Sequence, residues 1–153
     1  MIKPGIQEFL DSPLGRELTR EQLHQELTAQ SHWQGRYRII MKLGSRMPAL
    51  APQWQREDAE VAGCESKAWL YHHRDEQGQH HFLADSESRI IKGLLVLILS
   101  TCNHSSDQTI RDLDLDSWFS ELGLSAHLSP SRANGVAALV AAIRTRASAP
   151  QPG

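Results

Sequence analysis

Residues 87–100 constrain this chain more than any other stretch. Ile90, Ile91, Leu94, Leu95, Leu97 and Ile98 recur at helical spacing, and Val96 and Leu99 widen the apolar stripe nearly all the way round. A helix apolar on almost every side must be wrapped by other elements, so it belongs at the centre of a core. Burying each of its large side chains contributes about 1.5 to 3 kcal/mol, enough for this element to dominate the favourable side of folding. Its apolar run is far too short to span a bilayer. The 153 residues suit one domain, burying roughly two thirds of the surface exposed by the unfolded chain.

Upstream of that helix the period changes. Residues 60–62, 67–73 and 80–84 read as three short strands, with Asp75-Glu76-Gln77-Gly78 as the hairpin turn between the last two. Cys64 falls in the tight connection between the first and second strands, directly after Gly63, which can take a positive φ and permits close approach of another chain. On chemistry alone Cys64 is equally a reactive thiol or an ordinary loop cysteine, because reactivity is set by local pKa and exposure. Cys102 lies in an apolar periodic segment and reads as structural.

Helical segments flank this centre. Residues up to about 16 read as a loose lead-in; Thr19 caps a short helix over residues 20–29, and Ser31 caps another over 32–46 carrying Trp33, Tyr37, Ile40, Met41 and Gly44. Pro48 and Pro52 interrupt the pattern, and a weak helix or turn is expected over 54–59. Asp85-Ser86 offers a cap for the apolar helix. Short helices are expected over 105–112 and from Asp116 to a Gly123 stop. Ser129-Pro130 then opens a last helix carrying Val136, Leu139, Val140 and Ile143, where Gly135 suggests close packing. Residues 147–153 read as a disordered tail. The expected organisation is an N-terminal extension (1–31), one domain (32–146) and that tail.

Charge and motifs exclude several classes. A net charge of −2 gives no broad basic field for nucleic acid. Two cysteines do not make a disulfide framework, and the opening Met-Ile-Lys-Pro-Gly lacks the apolar core of a secretory signal. A reducing cytoplasm is therefore expected, without a membrane or nucleic-acid partner. No phosphate-binding glycine motif is present. His72, His73, His80 and His81 invite a metal, but side chains alternate across a strand, so a solvated histidine-rich hairpin is the expectation. Cys102 with His104 lacks a companion ligand pair. Asp112, Asp114 and Asp116 read as turn and cap residues. A thiol hydrolase would need a histidine beside Cys64, and nothing local marks His104 or His127 for it.

At Gly63-Cys64-Glu65-Ser66-Lys67-Ala68-Trp69-Leu70 the chain resembles the SufE/CsdE family of sulfur acceptor proteins. The resemblance continues through Trp33, Tyr37, Leu43-Gly44, Met47-Pro48-Ala49-Leu50, Phe82, Asp85-Ser86 and Arg89-Ile90-Ile91-Lys92-Gly93-Leu94. It extends to Leu122-Gly123-Leu124 and Leu128-Ser129-Pro130-Ser131-Arg132-Ala133-Asn134-Gly135. It implies an α+β fold, a small three-stranded antiparallel sheet packed against helices, like that of the iron–sulfur scaffold protein IscU. It also implies that Cys64 takes sulfur as a persulfide from a cysteine desulfurase of the SufS/CsdA kind, stimulates that enzyme, and passes sulfur to a downstream acceptor. Pyridoxal phosphate would belong to the desulfurase, with no cofactor bound here. Glu65 stands where one branch of the family has glutamine, which leans toward the CsdE branch.

This reading makes the protein a carrier without independent turnover. Accepting a sulfane sulfur requires an exposed, deprotonated thiol on a loop able to enter another protein's site. The N-terminus of the last helix and Arg132 are expected to lie near Cys64 and favour its thiolate. Asp85 and Lys92 are expected either at the partner surface or as a helix cap and a solvated lysine. The alternative is an iron–sulfur scaffold, which needs about three or four ligands where two cysteines are present.

Overall fold

The computed structural model describes residues 2–148. Its elements follow the order α1 (Ile6–Leu10), α2 (Arg20–Thr28), α3 (Trp33–Leu43), β1 (Ala68–Arg74), β2 (His80–Ser86), α4 (Arg89–Cys102), α5 (Asp107–Arg111), α6 (Leu115–Glu121), α7 (Leu124–His127) and α8 (Pro130–Ser148). Single turns of 3₁₀ helix cover Gly44–Arg46, Pro52–Trp54 and Glu57–Ala59.

The apolar helix is α4. Every side chain from Leu94 through Leu99 is fully buried, and α3, β2, α2 and α8 pack around it. Its cap is Ser88, whose hydroxyl accepts from the Ile91 N–H at 3.3 Å; the expected Asp85-Ser86 pair stays inside β2. Two glycines bring α3 and α4 together. A Cβ on Gly93 would collide with the Ile40 carbonyl oxygen, and one on Gly44 would lie 2.6 Å from Lys92 Cβ. Local signals hold elsewhere: Thr19 and Gln22 form a reciprocal capping box on α2, and Gly123 stops α6 with φ 79°.

The sheet has two strands, β1 and β2, antiparallel in the register Ala68↔Ser86 to Arg74↔His80. The third strand expected over 60–62 shrinks to one bridge, Glu60↔Trp69, with the Val61 N–H donating to the Ala68 carbonyl at 2.8 Å. A preceding 3₁₀ turn at Glu57–Ala59 and the Ala62-Gly63 turn leave no length for a longer ladder.

Both faces of the sheet are covered. Ala68, Leu70, Phe82 and Ala84 join the main core; Trp69, Tyr71 and Leu83 form a second cluster with Phe9, Leu50 and Ala59. Phe9 belongs to α1 and is fully buried, so the stretch expected as a loose lead-in packs on the sheet's outer face. Leu14, Leu18, Leu23 and Leu27 enter the main core. At the other end α8 runs through Ser148, so Ala147 and Ser148, expected in the tail, are helical; 149–153 lie outside the described residues.

Candidate functional site

Residues 62–67 form a short loop closed at its base by the Glu60↔Trp69 bridge. The Lys67 carbonyl anchors the far side, accepting from Ser86 Oγ at 2.8 Å and the Glu87 N–H at 3.0 Å. Gly63 turns the chain with φ 93°, a conformation L side chains rarely adopt, as its place before Cys64 predicts. A Cβ there would also lie 3.1 Å from Ala138 Cβ on α8, so the loop rests against that helix.

Cys64 is half-buried and lies against α8, its Sγ 3.8 Å from the Gly135 carbonyl oxygen, within reach of a weak S–H donation. It opens onto a cavity of about 350 Å³ lined by Glu65, Ser66, Ser88, Ile91, Ser129, Ser131, Arg132 and Gly135. Two helix N-termini converge there. Ser88 caps α4, and Ser129 Oγ accepts from the Arg132 N–H at 3.3 Å in the first turn of α8. Their positive ends favour an anion at this place. Arg132 is brought to the cavity as expected and, among the described residues, forms no ion pair.

The expected depression of the thiol pKa is overturned in this conformation. Burial pushes the Cys64 thiol above its ordinary range, because the charged form would lose hydration. Asp85 is also corrected. It is only 2% exposed and acts inside the structure: its carboxylate accepts from the Leu50 N–H at 3.0 Å and the Ser86 N–H at 2.8 Å, and pairs with Lys92 Nζ at 3.3 Å. It pins the irregular 47–50 segment to β2 and presents no surface for a partner. Glu65 is exposed at the cavity rim.

The other candidate groups lie elsewhere. Cys102 is fully buried, with its S–H donating to the Ile98 carbonyl at 3.4 Å, and burial pushes its thiol up to about 12. It stands eleven residues from Ile91 along α4, about 16 Å at the rise of an α-helix. Neither His104 nor His127 lines the cavity: His104 donates to the Ser12 carbonyl at 2.8 Å, and His127 stacks on Trp33 with ring centroids 4.6 Å apart.

The expected solvated histidine hairpin is corrected as well. His80 and His81 are 0% and 2% exposed, because α1 and the 103–107 segment cover the hairpin. His72 Nε2 meets His80 Nδ1 at 2.8 Å, and His80 Nε2 donates to Asp107; His81 meets His104 at 2.6 Å and donates to Asp75 at 2.8 Å. Among the described residues no group of three or more His, Cys, Asp or Glu is placed to hold a metal ion. Gly135, expected to mark close packing, is corrected too: a Cβ there would meet no packed backbone, only Ile91 Cδ1 at 3.8 Å and Cys64 Sγ at 3.9 Å, both ordinary contacts.

Comparison with known proteins bears on this loop and cavity. Residues 21–147 match the SufE family, described as an Fe-S metabolism associated domain. The chain is 36% identical over 136 residues, 89% of its length and 92% of the relative's, to the sulfur acceptor protein CsdE of Escherichia coli K12. A solution structure of a hypothetical protein from Thermus thermophilus superposes with a TM-score of 0.65 at 14% identity, covering 84% of this chain and 92% of that one. That likeness establishes the α+β fold. No described helix is long and apolar enough to cross a membrane.

Proposed function

The chain belongs to the SufE family, in its CsdE branch, and from that premise we propose that it accepts sulfur on Cys64 as a persulfide. The observation that carries the proposal is the loop itself: a free cysteine after a left-handed glycine, opening onto a cavity where two helix N-termini meet. The relative's name, sulfur acceptor, fits a group of this kind.

The transfer balances without an outside oxidant. The Cys64 thiolate attacks the outer sulfur of a persulfide on a cysteine desulfurase. The partner's S–S bond breaks, its cysteine leaves as a thiolate, and a new S–S bond forms on Cys64. The sulfane sulfur keeps its oxidation level, and a second thiolate, on a downstream acceptor, reverses the step to unload it.

The resting geometry holds the thiol back. Against α8, with burial favouring the S–H form, Cys64 is a poor nucleophile. Docking of the desulfurase supplies the change: the loop swings outward, hydration returns, and the helix N-termini and Arg132 then act on a thiolate. Stimulation of the desulfurase follows, because removing sulfur frees its cysteine for another turnover. The protein itself is a carrier, placed in the reducing cytoplasm where a free thiol persists.

The scaffold alternative asks two thiols to share a cluster. Cys102 is sealed in the core at the far end of α4 from the cavity, so it cannot join Cys64 in one site.

The test is to mix the protein with a desulfurase and cysteine, then follow alanine release and the intact mass. Faster alanine release and one added sulfur on the wild type, both absent for Cys64→Ser, are expected. Unchanged mass on the wild type, or the same adduct on Cys64→Ser, rejects the proposal.

A further inference from the structure

Three of the glycines in or beside the packed helices, Gly44, Gly93 and Gly135, are not alike. Gly44 and Gly93 are required by backbone approach: a Cβ at Gly93 would meet the Ile40 carbonyl, and one at Gly44 would meet Lys92 Cβ. Gly135 has no such reason. A Cβ there would find only Ile91 Cδ1 at 3.8 Å and Cys64 Sγ at 3.9 Å, both ordinary contacts. It is buried in the body of α8 with helical neighbours on both sides, where glycine is less favourable than alanine. Alanine would fit and would hold the helix better, so packing does not explain the glycine.

What the missing side chain does is leave space beside one atom. Gly135 lines the same cavity as Cys64, Ile91 and Ser88. A second sulfur on Cys64 would stand about 2.05 Å from Sγ, and a Cβ at 135, only 3.9 Å from that Sγ, would take up part of the space beside it. We propose that Gly135 is a positioning residue for the sulfur-loaded protein: its absent Cβ leaves the room in which the outer sulfur of a Cys64 persulfide rests, shielded from attacking thiols. The inference rests on the persulfide reading above and names what holds that persulfide.

Loading can be made independent of any desulfurase. Purified protein is treated with inorganic polysulfide, the excess is removed, and persulfide on Cys64 is trapped by alkylation at intervals in the presence of a small thiol. Gly135→Ala should melt no lower than wild type and alkylate as the free thiol within about twofold, yet lose its persulfide about tenfold faster, equivalent to about 1.4 kcal/mol. Ile91 lines the same cavity, its Cδ1 3.8 Å from where that Cβ would stand, so adding Ile91→Val to Gly135→Ala should return the lifetime toward wild type, although Ile91→Val alone lowers stability. A merely structural glycine predicts lower stability and no such rescue. Equal lifetimes in wild type and Gly135→Ala overturn the inference, as does a shorter lifetime that Ile91→Val fails to restore. If polysulfide gives these differences while a desulfurase fails to load the wild type, the relay is wrong and the role of Gly135 stands.

Discussion

Two thiols stand near opposite ends of α4 in opposite surroundings, one on the helix and one on the loop over its start. At the C-terminal end Cys102 is closed in, with Asn103 beneath it donating to the Leu14 carbonyl at 3.0 Å and accepting from the Phe82 N–H at 2.7 Å. At the N-terminal end Ser88 and Ile91 face a cavity, and Cys64 hangs over it from a six-residue loop. At one end a buried amide ties distant segments together around the thiol; at the other the thiol opens onto a cavity. The lesson is that enclosure, far more than residue type, decides which thiol is available for chemistry.

The contrast breaks most readily under alkylation. Cys64 should react in the native protein, whereas Cys102 should react only through unfolding, which for a marginally stable domain means slower by about a thousandfold or more. Mass-resolved labelling with iodoacetamide reads both sites at once, and comparable native rates would dissolve the distinction. Substitution is the next largest test. Cys102→Ser places a hydroxyl in an apolar core and should cost about 1 to 3 kcal/mol in urea unfolding while sulfur uptake is unchanged. Cys64→Ser should abolish uptake and move stability by no more than about 0.5 kcal/mol.

Polar groups at the two ends sharpen the comparison further. Asn103→Ala leaves the buried Phe82 N–H without its acceptor and should cost about 1 to 3 kcal/mol. Ser88→Ala removes one helix cap and should cost about 1 kcal/mol. Guanidinium unfolding of the two variants tests the order. The response to pH is a further test. Burial, with the neighbouring His80, pushes His72 down to about 3, and burial also lowers His104, so both take up protons at lower pH in the folded protein than in the unfolded chain. Stability at the sealed end is therefore complete above the ordinary histidine value of 6.5 and declines as pH falls from there toward about 3. Melting temperature should fall over that window, and less steeply in His72→Phe. At the open end, Cys64 alkylation should rise with pH and reach its midpoint above the ordinary thiol range, because burial favours the neutral form.

Much of this was legible from local signals. The near-continuous apolar pattern placed α4 at the centre, Gly63 announced a left-handed turn, and Thr19, Gly78, Gly123 and Ser129 marked their ends and turns. What escaped depends on contacts between residues far apart in the chain. Phe9 finds its cluster on strands some sixty residues away, so the first helix looked like a lead-in. The hairpin histidines look solvated until Asp107 and His104 are folded over them. The third strand failed because a 3₁₀ turn and a tight turn flank one bridging residue, and neither shows in residue alternation. Arg132 lines the cavity that Cys64 opens onto, but the direction of the thiol's shift depends on burial, which sequence does not display.

The most direct measurement is to load the wild-type protein with a cysteine desulfurase and cysteine, trap it by alkylation, and map the added sulfur by peptide mass spectrometry. The account predicts one sulfur on the peptide bearing Cys64 and none on that bearing Cys102. Sulfur shared between the two peptides, or found on neither, would contradict it.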